Sequence, residues 1–583
     1  MTAPFLKRVF SFAKPYKKVV LLFTITSIGL LPLHVLEPLV AKHLLDLALS
    51  GKGLSTDLKE FTLAWAAIYT CTVLLHLSAR RSSIRLRSGV VGEVRTALYR
   101  KLLRLPQSYF DKNATGYIAS RQTDDADNLD GLMSDSLIEV GLAVIESAVI
   151  LTLVFKLNTS LALVLLITTA LSIRSQFLFD LKELYRNHNE AKAELNKELV
   201  QTISGITVVK CSVNLATQVQ KYTRALDHFI ETKVKREVAN VTRGVLSRVF
   251  ADITTPLIVL TSAWLIIEGK ISVSVSIAAI LYQRRLIANV PPIVSSYPLF
   301  HYAVAAYQRI FAILDDNEEN MTSIEDSKRA EVTGNIEFRD VSFTYDGKEY
   351  ALKNVSFNIK PGQLVALVGT SGSGKSTVAK LILGLYECSE GNIFFDGVSI
   401  KEIPLNRLRK RIGFVPQDPF LFNGSIKENI SCGLEKFRDS VVELAAETAE
   451  AHSFICLLPK GFDTPVGDRG LTLSGGERQR ICIAREIARN TNVILFDEAT
   501  SALDAVSESQ IRRVFNTSRK DKACFVITHK LSTIQDADII LVFDQGKLVE
   551  TGTHQTLMGR GGHYHRLCQE QIMSGKDIVR CIS

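Results

Sequence analysis

The segment GTSGSGKST, residues 369–377, follows the apolar run LVALV and sets Gly369, Gly374, Lys375 and Ser376 at the spacing GxxxxGK[ST]. Glycines allow backbone N–H groups to curl around phosphate oxygens, and the N-terminus of a following helix adds favourable partial charge. Thr370, Ser371, Gly372 and Ser373 fill the loop, and Thr377 follows it. Lys375 is expected to reach the β- and γ-phosphates of ATP, and the Ser376 hydroxyl to ligate Mg²⁺. The second half of such a site is VILFDEATSALD, residues 493–504. Its apolar run suits a buried strand ending in Asp497, a carboxylate for the Mg²⁺ shell. Glu498 comes next, placed to orient and polarise an attacking water.

A third segment, LSGGERQR (473–480), opens a predicted helix with a Ser-Gly-Gly turn: Ser474, Gly475, Gly476, then Glu477. This is a second anion site. One chain cannot easily bring two such sites to one nucleotide, so the turn makes sense if it completes the site of a partner subunit.

With these segments the chain resembles the ATP-binding cassette family, in which LSGG contacts the γ-phosphate across a head-to-tail dimer. The resemblance extends in order through further motifs. Tyr345 in VSFTYDG matches the adenine-stacking aromatic, and Gln417 in FVPQDPFLF matches the glutamine linking Mg²⁺ and the attacking water to the membrane domain. TPVGDRG (464–470) looks like the segment that touches the coupling helices of exporters. Asp504 ends the SALD loop at the dimer interface, and His529 in VITHKLS matches the switch histidine. The resemblance thus implies Glu498, His529 and Gln417 as catalytic residues and Ser376, Gln417 and Asp497 around the metal. Two positions depart from the common pattern: Glu477 where glutamine is commoner, and Asp468 where glutamate is usual. Both keep a polar side chain, so activity is expected to survive.

These motifs occupy only part of 583 residues, a length that suggests several domains. Residues 1–320 carry six apolar runs, at 19–44, 61–77, 138–157, 160–173, 253–267 and 272–299, and about 20 apolar residues cross a bilayer. Basic residues precede the first run (Arg8, Lys14, Lys17, Lys18) and follow the second (Arg80, Arg81, Arg85, Arg87) and fourth (Lys182, Arg186, Lys192, Lys197). By the positive-inside rule the N-terminus and the segments near 80–136 and 175–250 are cytoplasmic, and they read as helices extending beyond the membrane. A polar linker at 321–334 leads to an α/β pattern over 335–583. The expected architecture is an all-α six-helix transmembrane domain fused to a C-terminal α/β P-loop nucleotide-binding domain.

The net charge of +9 is spread along the chain, which suits basic loops at a cytoplasmic leaflet rather than a nucleic-acid partner. The nine cysteines form no CxxC pair and read as reduced thiols. The N-terminal apolar stretch lacks a small-residue cleavage site, so a cleaved signal peptide is not expected.

Within the cassette family, six spans preceding the cassette resemble exporter half-transporters, among them bacterial lipid A flippases and exporters of drugs and lipid-linked saccharides. Residues 95–129 resemble their first cytoplasmic loop, with Phe110–Asp111 and Thr115–Gly116 near the first coupling helix; residues 198–214 resemble the approach to the second. The implied mechanism is alternating access by a dimer, most simply of two identical chains, in a bacterial inner membrane with the nucleotide-binding domain cytoplasmic.

The sixth run contains LYQRRLIANV, residues 281–290, and charge at bilayer depth is costly. At 100° per residue Arg285 shares a stripe with Ala278, Tyr282, Asn289, Pro292 and Ser296, small and polar enough to face a cavity, with Arg284 on its flank. Arg174, immediately after the fourth run, lies a similar distance from that run's outer start. Arg174, Arg284 and Arg285 are therefore candidate contacts for a phosphate, pyrophosphate or carboxylate on an amphipathic substrate, an anionic lipid or lipid-linked saccharide first among them. Two other readings stay open for these arginines: an ion pair with Glu146 or Glu139 of the third run, and snorkelling to the inner interface. At the level of the whole protein, an exporter of hydrophobic drugs or peptides and a cassette-gated channel or regulator are the alternatives.

Overall fold

The computed structural model describes residues 8, 11–49, 57–129, 138–175, 181–212, 215–319, 334–434, 436–467, 470–498, 513, 522–528 and 530–573. The chain divides into two compact units, Met1–Leu103 with Ala114–Asp316, and Arg104–Asn113 with Asn317–Ser583.

The first unit is helical. Its main helices are α1 (Lys17–Leu49) and α2 (Asp57–Leu102), followed by α4 (Ile138–Leu157), α5 (Thr159–Ser175), α6 (Leu181–Ser204), α7 (Leu215–Ile267) and α8 (Val273–Leu314). The short α3 (Gln107–Lys112) belongs to the second unit. Each of the six apolar runs falls within one helix: α1, α2, α4, α5, the end of α7 and α8. Among the described residues four helical stretches are long and apolar enough to cross a membrane: Lys14–Leu49, Thr62–Leu102, Glu139–Leu157 and Leu215–Ile267. Thr159–Ser175 is a shorter apolar helix. At 1.5 Å per residue the 53 residues of α7 span about 80 Å, far beyond the roughly 30 Å of a hydrocarbon core.

Packing follows the small and apolar faces. α4, α5, α7 and α8 bury Ile150, Val154, Leu161, Leu165, Ile258, Ala279 and Tyr282 in one core. The Tyr282 hydroxyl donates to the Val35 carbonyl of α1 at 2.9 Å, so the aromatic is satisfied while wholly buried. At the far end of α8, Arg309 donates two hydrogen bonds to Asp125, at 2.9 and 2.5 Å, and Arg121 donates a third at 2.6 Å. Asp125 is 2% exposed and sits in a π-helical turn, Arg121–Asp125.

The second unit holds two sheets. β1 (Ile336–Thr344), β2 (Tyr350–Ile359), β4 (Glu390–Phe395) and β5 (Val398–Ser399) form an antiparallel sheet in the order β2-β1-β4-β5. The larger sheet runs β10-β9-β3-β8-β7-β6 and comprises β3 (Leu364–Gly369), β6 (Ile412–Val415), β7 (Val493–Asp497), β8 (Ala523–Ile527), β9 (Ile539–Asp544) and β10 (Lys547–Gly552). All its pairings are parallel except that of the edge strand β10. β3 is buried throughout, which explains why LVALVG reads as a continuous apolar run. Leu364, Ala366 and Val368 enter one core and Val365 and Leu367 the other, as the two-residue period of a strand requires.

Candidate ATP site and the arginines of the spans

The phosphate loop leaves the C-terminal end of β3 and enters α9 (Lys375–Ile382). In open α/β sheets this end of the strands is where ligands bind. Gly369 has φ +148°, and a Cβ there would lie 2.1 Å from the Phe543 carbonyl oxygen. Gly374, with φ +103°, would set a Cβ 2.6 Å from Leu352 Cδ2 and 2.8 Å from the Ala351 oxygen. Both positions therefore need glycine for space as well as for backbone conformation.

Lys375 is 6% exposed, and its Nζ donates to Gly369 O at 2.9 Å, Thr370 O at 2.7 Å and Ser373 Oγ at 3.4 Å. Burial pushes its pKa below the ordinary lysine range, opposed by the negative charges of Glu498 and Asp497. Asp497, at the end of β7, is raised above the usual carboxylate range by burial and then by the neighbouring Glu498 charge. Lys375, Lys380 and a hydrogen bond with Ser376 act the other way. A partly buried carboxylate beside a hydroxyl is a hard-oxygen donor set that fits Mg²⁺.

Glu498 adopts φ +46°, an uncommon conformation for a residue with a side chain. Its N–H donates to the Ile527 carbonyl at 2.8 Å, which anchors the turn to β8. Gln417 Nε2 donates to Glu498 Oε2 at 2.7 Å, although the two residues are 81 apart in sequence. The pairing of β6 with β7 brings them together.

Tyr345 is 45% exposed, and its hydroxyl lies 3.2 Å from Thr377 Oγ1. Its ring meets Phe343 and Tyr386 edge-on, at 4.8 and 5.2 Å between centroids, and Lys380 Nζ sits 5.3 Å from its centre. One face is thus supported by packing while much of the ring remains open to a planar base.

The SGG turn begins α10 (Gly475–Ala488). Ser474 Oγ accepts from the Glu477 N–H at 3.3 Å, and the Ser474 N–H donates to Glu477 Oε2 at 2.7 Å. This reciprocal cap explains the departure at Glu477: glutamate and glutamine both close such a box. Among the described residues Ser474 bonds only within its own helix start; it is exposed, and Gly475 and Gly476 are half-buried. His529, Asp504 and Asp468 lie outside the described residues.

In the helical unit the arginines separate. Arg285 Nη2 donates to Glu37 Oε2 at 3.1 Å, joining α8 to α1. The expected partners Glu146 and Glu139 are engaged elsewhere. Glu146 lies 3.1 Å from His34 Nδ1, and Glu139 accepts from Arg80 Nη1, also at 3.1 Å. The ion-pair reading of Arg285 is thereby corrected: the carboxylate comes from the first helix, because the Arg285 face of α8 packs on α1 with Tyr282. Arg284 and Arg174 are both exposed, with no hydrogen bond or ion pair among the described residues.

Sequence reasoning also missed a polar chain in the spans. His34 Nε2 lies 3.3 Å from His76 Nε2, continuing the Glu146–His34 contact, with His34 and Glu146 buried. Three ionisable residues inside apolar runs were the available signal. Likewise the Tyr386 hydroxyl donates to the Asp111 carboxylate of α3, a contact that no local pattern announces.

A bundle of apolar helices joined to a phosphate-loop ATPase defines an ATP-driven membrane transporter. The family model described as ABC transporter matches residues 352–501, and that described as ABC transporter transmembrane region matches residues 20–290. The "Putative multidrug export ATP-binding/permease protein YgaD" of Bacillus subtilis is 30% identical over 571 residues, covering 96% of this chain and 98% of that one. A protein of the same description from Staphylococcus aureus is 32% identical over 571 residues, 96% and 99% of the two chains. A solved structure of a bacterial Atm1-family ABC exporter with ATP bound superposes with a TM-score of 0.80 at 26% identity, over 94% of this chain and 98% of that one. The chain belongs to the ABC transporter family. It is an exporter-type half-transporter, a multi-pass membrane protein that couples ATP hydrolysis to transport.

Proposed function

We propose that two copies of this chain form a homodimer in a bacterial inner membrane, with the nucleotide-binding domains cytoplasmic, and export an amphipathic anion by alternating access. An anionic lipid or lipid-linked saccharide is the favoured substrate class. Residues 1–320 act as the transmembrane domain, 321–334 as a linker and 335–583 as the ATPase. Lys375 binds the β- and γ-phosphates within the Gly369–Thr377 loop, and Tyr345 stacks on adenine. Ser376, Asp497 and Gln417 hold Mg²⁺, which when bound neutralises charge on the phosphate oxygens. Glu498, oriented by Gln417, accepts the proton of the attacking water; His529 and Asp504 complete the γ-phosphate side and the interface. Ser474, Gly475, Gly476 and Glu477 of a second copy supply N–H donors to the same nucleotide.

The observation carrying the substrate reading is the pair Arg174 and Arg284, exposed and unpaired among the described residues, on α5 and α8. Arg285, tied to Glu37, keeps a lesser part beside Arg284 in the chain. A guanidinium fork suits phosphate or carboxylate. A second reading, export of hydrophobic drugs, is favoured by the printed descriptions of the Bacillus and Staphylococcus relatives.

Reconstitution into liposomes decides between them. Anionic lipids should stimulate ATP turnover in the wild type and fail to do so in Arg174→Ala/Arg284→Ala. Stimulation by neutral hydrophobic compounds, unaffected by that double substitution, would establish the drug reading instead.

A further inference from the structure

The stretch Leu383–Tyr386 directly follows α9, so one end of this short segment is continuous with the helix that begins at Lys375. Three separate contacts converge on it. The Tyr386 ring packs edge-on against Tyr345 at 5.2 Å and Phe343 at 5.5 Å, and Lys380 Nζ lies over both tyrosines, at 5.3 and 5.8 Å. The Tyr386 hydroxyl donates to the Asp111 carboxylate, which also accepts from Gln107 Nε2 at 3.0 Å, one turn back along α3. Arg409 donates to the carbonyls of Leu383 (3.3 Å) and Gly384 (2.9 Å) and clasps Glu319 with two bonds, at 2.6 and 2.9 Å.

Glu319 in turn donates its N–H to the Arg104 carbonyl at 2.8 Å. The segment 383–386 therefore holds both places where the chain passes between units: 104–113, which interrupts the helical unit, and 317–319, which leaves it. A base on Tyr345 meets the Tyr345–Lys380–Tyr386 cluster, and phosphates meet the other end of α9. Both events reach the same four residues.

We propose that Tyr386 is a positioning residue for coupling: through its hydroxyl on Asp111 it transmits nucleotide occupancy at Tyr345 and α9 to the short helix α3, with Arg409–Glu319 as a parallel tie. This rests on the reading of α3 as a coupling helix. The geometry assigns the Tyr386–Asp111 bond the larger share, because it is the direct side-chain contact between the base platform and α3. Arg409 acts one step removed, through backbone carbonyls.

Amide hydrogen exchange on the full-length protein in nanodiscs, with and without the non-hydrolysable analogue AMP-PNP, tests this. In the wild type the analogue should slow exchange in peptides covering both the phosphate loop and residues 104–113. Tyr386→Phe, which keeps the ring beside Tyr345, should keep the phosphate-loop response. Its 104–113 peptide should exchange about fivefold faster than wild type in the bound state, the equivalent of one hydrogen bond of ordinary net strength. Asp111→Ala should behave like Tyr386→Phe, whereas Asp111→Asn, which keeps a carbonyl acceptor, should restore the response. A wild-type-like 104–113 response in Tyr386→Phe overturns the role of Tyr386 alone. No response of that peptide in the wild type overturns it together with the coupling-helix reading.

Discussion

The Arg285 guanidinium meets the Glu37 carboxylate at 3.1 Å, bridging the sixth apolar run to the first. Each side chain is about one-quarter to one-third exposed, at 30% and 26%, so both charges are partly desolvated. Two opposite charges placed together cost far less in an apolar setting than either alone. Arg285 is thus held by its own protein, whereas its neighbour Arg284 is exposed.

Replacing Arg285 by alanine should strand Glu37 and lower stability by roughly 2 kcal/mol, less than for a fully buried pair broken on one side because solvent reaches both side chains. Removing both charges, in Glu37→Gln/Arg285→Gln, should recover part of that loss. Melting of the full-length protein in detergent gives the comparison. Single and double variants that melt together with the wild type would show that the pair contributes nothing to the fold.

The contrast between Arg285 and the phosphate loop shows which parts of this molecule were legible in its sequence. Gly369–Thr377 is one contiguous segment, and Gly369 and Gly374 within it are required by close contacts with Phe543, Leu352 and Ala351. The six apolar runs were readable for a similar reason, since each is a local property of one helix. The Glu477 departure also had a local cause in the S-x-x-E spacing of a capping box. The partner of Arg285 did not. Helical periodicity gave the stripe it shares with Tyr282, but which helix covers that stripe depends on packing between segments 248 residues apart. The Asp111–Tyr386 bond, across 275 residues, was hidden for the same reason. The roles proposed for His529 and Asp504 rest on motif position alone.

Glu498→Gln should reduce ATP turnover by roughly 10²- to 10⁴-fold, the usual contribution of a positioned general base, while nucleotide still binds. The amide is close in shape and can still meet Gln417, so binding through Lys375 is untouched. Gln417→Ala should cost less, because it removes the 2.7 Å contact that orients Glu498 and leaves the carboxylate in place. Phosphate release and equilibrium nucleotide binding, measured on the same preparations, separate the two effects. Turnover within a few-fold of wild type in Glu498→Gln would remove it from the role of base.

Asp125 supplies a pH test outside the spans. Burial works to raise its pKa, but hydrogen bonds from Arg309 and Arg121 and their positive charges overcome this and hold the carboxyl below its ordinary value. A folded-state pKa lower than the unfolded one gives stability that is present above the unfolded value, near 3.9, and lost as pH falls through the folded value. The melting temperature of the wild type should therefore exceed that of Asp125→Asn by a constant margin at pH 5–8. The margin should shrink below about pH 4, where the unfolded-state carboxyl protonates. A margin that grows on acidification, or none at neutral pH, would contradict the arrangement.

The buried chain from Glu146 through His34 to His76 yields the last test. Glu146 is 7% exposed and His34 6%, and the His34 ring uses both nitrogens, one toward Glu146 at 3.1 Å and one toward His76 at 3.3 Å. Deleting His34 leaves the buried Glu146 side chain without its partner, whereas changing Glu146 to glutamine keeps an oxygen that can accept from Nδ1. His34→Ala should therefore be the more damaging change, by about 2 kcal/mol, the scale for a buried polar group left without its hydrogen-bond partner. Glu146→Gln should cost under about 1 kcal/mol, since the contact with His34 is kept. His34→Asn, which retains an N–H donor on a shorter arm, should fall between them. Thermal melting of the variants in detergent fixes the order, and Glu146→Gln/His34→Ala should be no less stable than His34→Ala alone, because Glu146 has already lost its donor there. If the double variant is instead the least stable, the contact with His34 is not what makes Glu146 tolerable in the bundle.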